Sequence, residues 1–374
     1  MSEVFELSKN ELKTLYGLVR YPTLNDRELS LKIKLKMSTI TAIKNRLKRK
    51  GYYKTYRVPI LANLGCEILG INYTKLSLKL DYNSKIELCR RVVKEYPEVF
   101  YSLMDEGKLL FFSFLQNYTD AKGLMERFYQ IFSENEALDN EETKFVFFPF
   151  EQARLINFFN YAPMLKMAFN IEVEEEEEED KNRLSALIAP MQPKKIDLTK
   201  AERKTLWGLV KYPDLQDNAI AKHIDITRQS IAKMKRKFEE QGIIQTIRVP
   251  NLIKLGFELL IYAHFTYNPK TTVETRKESI QKILDDLPIT FLLSSNMEGT
   301  LIGITRNYTE TQNYLYKALS IYKASNFLRE DPTIMIFTLQ SLKVLSEHQY
   351  ADIISKFLQI DETQPVRTPA RKSN

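Results

Sequence analysis

The chain has 374 residues, 44% hydrophobic and 11% aromatic, with a formal net charge of +7 and a pI near 9.0. Eleven glycines and two cysteines, Cys66 and Cys89, exclude a Gly-rich β protein, a disulfide framework and a cysteine zinc spacing. No apolar run of about 18 residues and no apolar leader after Met1 occur, so a cytoplasmic protein without a membrane partner is expected.

In chain order, the first helix is predicted from Ser8, three residues before Glu11 in capping-box spacing, with Leu12, Leu15, Leu18 and Val19 on one face. Tyr21-Pro22 ends it. Asp26 is expected to cap a short second helix with Leu29 and Ile33 inward. A third helix buries Ile40, Ile43 and Leu47 and stops at Gly51; Lys36 is a poor cap, so Ser38 is expected to start it late. Its outer face carries Thr39, Thr41, Lys44, Asn45, Lys48 and Arg49, and Arg57 follows on a β segment. Strands are predicted over 67–80, 99–104, 109–115 and 144–150, with helices over 85–95 and 119–133, in βαββαβ order. A further helix is predicted over 151–169. Eight acidic residues between 172 and 180 then read as a solvated linker.

The pattern recurs. Residues 7–69 align with 198–260 at an offset of 191 without a gap, and 26 of the 63 positions are identical. Thr199 and Glu202 repeat the capping box, Asp217 repeats Asp26, and Thr227 is a good cap for the second copy of the third helix. The outer face of that helix carries Arg228, Gln229, Ser230, Lys233, Arg236 and Lys237, with Thr227 at its start and Arg248 opposite Arg57. Another βαββαβ run spans 258–339, and a helix is predicted over 341–358. Fourteen basic against five acidic residues lie in 1–65, and fourteen against seven in 194–256, so the rest of the chain is net acidic. Lys and Arg neutralise phosphate, while Arg, Asn, Gln, Ser and Thr read base edges in the major groove. Charge concentrated on two helix-turn-helix patterns therefore points to double-stranded DNA.

These residues, with Val58-Pro59 and Leu64-Gly65 after the third helix, resemble the Lrp/AsnC-type transcriptional regulators. The resemblance implies a winged helix-turn-helix before a βαββαβ domain that dimerises and often senses amino acids. Lys36 departs from the family's serine or threonine cap, and two units in one chain depart from its usual single unit. The expected architecture is α+β, a tandem duplication of winged helix-turn-helix followed by a ferredoxin-like domain. It comprises 1–66 and 67–170, a linker over 171–193, 194–257 and 258–360, and a disordered tail over 361–374. The expected function is a DNA-binding regulator, not an enzyme, with no metal or cofactor. Its two heads would form an intramolecular pseudo-dimer, or the chain a homodimer. The turn at Asp105–Lys108 resembles the family's sensing loop and leaves a small-molecule effector open. The alternative is a winged-helix interaction protein of the basal transcription machinery with weak or non-specific DNA binding.

Overall fold

The computed structural model describes residues 7–138, 143–172 and 196–360. The predicted tail, and all but the first two residues of the predicted linker, lie outside them. Among the described residues no helix is long and apolar enough to cross a membrane.

Three helices open the chain: α1 (Lys9–Arg20), α2 (Asp26–Ile33) and α3 (Met37–Arg49). Their counterparts are α7 (Lys200–Lys211), α8 (Asp217–Ile224) and α9 (Arg228–Glu240). Both predicted capping boxes form. The Ser8 and Thr199 hydroxyls accept the N–H of Glu11 and Glu202, whose carboxylates accept from the cap backbone in return. At α2 the cap falls one residue earlier than expected. Asn25 accepts the N–H groups of Arg27 and Glu28, because Asp26 is turned toward α3 instead. Gln216 holds the matching place at α8 without a side-chain bond. Nor is α3 shortened. It starts at Met37 behind Lys36, whose side chain makes no cap bond, and is as long as α9, where Thr227 accepts from Ser230. The buried stripe Ile40, Ile43 and Leu47 holds α3 in place without a cap. Gly51 and Gly242 follow the two helices at φ of 64° and 63°, the left-handed geometry glycine supplies.

The strands and later helices follow: β1 (Tyr53–Pro59), β2 (Ile68–Lys75), α4 (Tyr82–Glu95), β3 (Val99–Met104), β4 (Lys108–Leu115), α5 (Tyr118–Glu134), β5 (Lys144–Pro149), β6 (Arg154–Asn157) and α6 (Ala162–Phe169). After α9 come β7 (Ile244–Pro250), β8 (Leu259–Thr266), α10 (Val273–Asp286), β9 (Ile289–Ser294), β10 (Glu298–Thr305), α11 (Tyr308–Ser325), β11 (Thr333–Thr338), β12 (Lys343–Glu347) and α12 (Ala351–Leu358). The architecture is mixed α and β, with the expected strand–helix–strand–strand–helix–strand order in each half.

Two compact units result, each drawn from both halves of the sequence. Unit 1 takes the described residues of Met1–Lys54, Phe150–Gln192 and Ile247–Leu342. It contains α1–α3, and an antiparallel sheet in the order β11-β8-β10-β9-β6. Unit 2 takes those of Thr55–Pro149, Pro193–Thr246 and Lys343–Asn374. It contains α7–α9 and the antiparallel sheet β12-β3-β4-β2-β5.

The segments 151–169 and 341–358, predicted as single helices, are each a short strand and then a short helix. In unit 1, β6 pairs with β9 and Asn157 donates its side-chain N–H to the Ile289 carbonyl at 2.9 Å. In unit 2, β12 pairs with β3, and the Ser346 hydroxyl donates to the Val99 carbonyl at 3.2 Å. Four- and five-residue strands carry little periodicity of their own, and their partners lie more than a hundred residues away in sequence. Helix α6 then packs on α1, and α12 on α7. In unit 2 the helix-facing core is aromatic, with Phe111, Phe128 and Phe132 at most 2% exposed. Cys66 and Cys89 are free thiols, both buried.

Candidate nucleic-acid interface and a buried polar cluster

The fifteen residues singled out on the third helices and following strands separate into three groups. Asn45, Lys48 and Arg49 on α3, and Arg228, Gln229, Lys233 and Arg236 on α9, are exposed. Thr39 is half-buried at the start of α3. These residues leave each third helix with an outward cationic and amide-bearing face, as expected.

A second group is engaged in holding the helices together. The Thr41 hydroxyl and the Lys44 ammonium both donate to Asp26, each at 2.7 Å, joining α3 to α2. Partial burial raises the Asp26 pKa, but the bonds from Lys44 and Thr41 outweigh it and hold the carboxyl below its ordinary value. Lys237 donates to Glu202, joining α9 to α7; Arg46 and Glu11 make the same tie between α3 and α1 at 2.9 Å. The Lys237 bond is the chief cause of a lowered Glu202 pKa. Thr227 and Ser230 bond each other at the start of α9.

The third group corrects the sequence reading. Arg57 is only 7% exposed and donates to the Leu209 carbonyl at 3.2 Å. Arg248 donates to the Leu18 carbonyl at 2.9 Å and lies over the Tyr53 ring, 5.9 Å from its centroid. Both carbonyls sit in the last turn of a first helix, where free C=O groups and the helix dipole favour a cation. The two arginines clamp helix ends, Arg57 buried and Arg248 half-buried.

One constellation escaped the sequence. In unit 2 the Tyr56 hydroxyl donates to Glu347 Oε2 at 2.6 Å, and its ring lies 4.9 Å from that of His348. The Tyr101 ring is 5.5 Å from His348 on another side, and His348 Nδ1 is 3.0 Å from the Tyr350 hydroxyl. His348 is 4% exposed and sits at φ 53°, in the left-handed region where histidine, with asparagine and aspartate, is enriched among non-glycine residues. Burial pushes Tyr56, Tyr101 and Tyr350 well above the ordinary phenol value, and for Tyr56 the Glu347 carboxylate adds to the effect. The aligned positions in unit 1 are apolar. Phe158 and Phe159 stand for Glu347 and His348, Phe291 for Tyr101 and Ile247 for Tyr56. Phe159 keeps the same left-handed backbone, at φ 46°. The signal was present in the sequence, in a Glu-His pair where the other repeat has Phe-Phe, but the gap-free alignment ends long before it.

The fold has a counterpart over nearly its whole length. The crystal structure of the siroheme decarboxylase NirDL superposes with a TM-score of 0.50, covering 93% of this chain and 98% of that one at 10% identity. This corrects the expectation that the chain is not an enzyme, for the fold matched over 93% of it is one that an enzyme uses. Lrp/AsnC regulators match over 38% of the chain. Escherichia coli AsnC does so at a TM-score of 0.31 and 16% identity, with 93% of its own length covered. A Neisseria meningitidis transcriptional regulator in complex with L-Met gives 0.32 and 16%, with 90% covered. No protein-family profile and no curated protein sequence matches the chain.

Proposed function

We propose that the protein binds double-stranded DNA as a transcriptional regulator, through two winged helix-turn-helix modules duplicated within one chain. The observation that carries this reading is the pair of outward faces on α3 and α9. Each keeps exposed cations beside amide side chains after the structural ties of Thr41, Lys44 and Lys237 have been subtracted. Lys48, Arg49, Lys233 and Arg236 would neutralise phosphates, while Asn45, Arg228 and Gln229 have the donor and acceptor pattern that reads base edges. The two faces differ in residue, so an imperfect palindrome is the expected target. Selection of bound fragments from genomic DNA tests this. A regulator enriches one motif and prefers it over random duplex by about a thousandfold or more. Binding without such a preference favours the interaction-protein alternative, and no binding at low salt ends the DNA reading.

A second reading, decarboxylation of a tetrapyrrole, has its own observation in favour. Unit 2 gathers Tyr56, Tyr101, Glu347 and His348 where the aligned positions of unit 1 are apolar, in a fold shared with siroheme decarboxylase. A buried histidine beside phenols and a carboxylate can hold and deliver the proton that replaces a departing carboxylate. Incubation with siroheme, followed by mass spectrometry for loss of carbon dioxide, tests it with His348→Phe as the control. Conversion absent in the native chain, or unchanged in the variant, removes this reading.

A further inference from the structure

The two βαββαβ domains fill the space between sheet and helices differently. In unit 2 one row across the sheet reads Phe145, Asn72, Phe111, since Asn72 pairs with Phe145 on β5 and with Phe111 on β4. Phe128 of α5 lies over that row, 5.7 Å from Phe111 and 5.4 Å from Phe145 between ring centroids, and stacks on Phe132 at 4.2 Å. The equivalent row in unit 1 reads Ile334, Ala263, Leu301, fixed by the same pairings of β8 with β11 and β10. Counting from the matching caps Asn117 and Asn307, Ala318 takes the place of Phe128. Four side chains at one level have all become smaller, and three of the four lost an aromatic ring.

The void left behind has not closed. A pocket of about 280 Å³ lies between the unit 1 sheet and helices α10 and α11, lined by these residues. Ile261 and Phe265 add bulk along β8 on either side of Ala263, and the space remains between them. Leu319 and Ile334 line it and are 38% and 39% exposed, which places its mouth at solvent. Asp331, exposed at the rim, is the one charged residue in the lining.

We infer that this pocket binds an uncharged, apolar small molecule with the bulk of a fused two-ring aromatic. A dry apolar cavity of about 150 Å³ accepts benzene, and this one is roughly twice that size. The lining supplies no cation, so an acid would bury its carboxylate against apolar walls without a partner, a cost that disfavours anionic ligands. The inference is independent of DNA binding and of the polar cluster, neither of which shares a residue with the pocket.

The test is titration of the full chain with the neutral probe 1-aminonaphthalene, followed by its fluorescence. The native protein is expected to enhance and blue-shift the emission saturably. Ala318→Phe, which restores the ring found in the other unit, is expected to weaken binding by about tenfold or more, as loss of the space requires. Leu301→Phe fills the pocket from the sheet side and replaces that variant if it does not fold. The carboxylate 1-naphthoate is expected to bind much less tightly. No saturable enhancement in the native chain, equal binding in a folded filling variant, or naphthoate binding as tightly as the amine would each overturn the inference.

Discussion

Replacing Lys233 and Arg236 of α9 together with alanine should change how salt acts on DNA binding. Both are exposed, and neither makes an ion pair within the module comparable to the Lys237–Glu202 or Arg46–Glu11 ties. The exposed cations assigned to phosphate contact are Lys48, Arg49, Lys233 and Arg236. If each neutralises one phosphate, log K falls against log salt with a slope of about −3.6, or roughly 150-fold between about 50 and 200 mM. Removing two of the four leaves a slope of about −1.8 and a loss of roughly 12-fold over the same range. Fluorescence anisotropy of a labelled random duplex, titrated at four or more salt concentrations, gives both slopes. An unchanged slope in a variant that remains folded would show that α9 does not lie against the phosphates.

Arg57→Ala should leave that slope alone and cost stability instead, about 1.5–3 kcal/mol for the lost charged hydrogen bond to Leu209, measured by urea denaturation. A flattened slope with unchanged stability would return Arg57 to the DNA interface. Gly17→Ala should destabilise by about 1–3 kcal/mol through overpacking, because its Cβ would come within 2.8 Å of Ile33 Cγ2; a melting temperature equal to the parent's would contradict it. Both cysteines should resist an aromatic disulfide reagent near neutral pH until the chain is unfolded, since burial pushes each thiol up to about 12. Rapid labelling of the folded protein would show otherwise. The lowered pKa of Glu202 sets a direction with pH. Its contribution is complete above the unfolded carboxylate value and disappears as pH falls through the lower folded value. Melting curves between about pH 5 and pH 3 should therefore drop less steeply for Glu202→Gln than for the parent; parallel curves would remove the Lys237 tie as a source of acid sensitivity.

What could be read from sequence was whatever is fixed by neighbours a few residues apart. Capping boxes at Ser8 and Thr199 and glycine stops at 51 and 242 are local signals, and the structure has them. The outward face of α3 was legible because Ile40, Ile43 and Leu47 define its opposite side. Where a residue's partner is remote, the reading failed. Arg57 and Arg248 looked like wing cations because nothing near them in sequence shows the carbonyls of Leu209 and Leu18 waiting 152 and 230 residues away. Strands β6 and β12 were taken for helix for the same reason. The Glu347-His348 pair, in turn, acquires meaning only when Tyr56 and Tyr101 are brought beside it.

The origin of β6 and β12 bears on how this gene can be cut. Each strand completes a sheet whose other four members are encoded in the opposite half of the sequence, whereas α6 and α12 rest on α1 and α7 of their own halves. A fragment ending at the acidic stretch would carry a sheet with β3 as a naked border and a β6 with nothing to join. Two such fragments could satisfy each other only by trading ends, so half-length expression should yield interlocked pairs or precipitate, and co-expressing the complementary halves should rescue solubility.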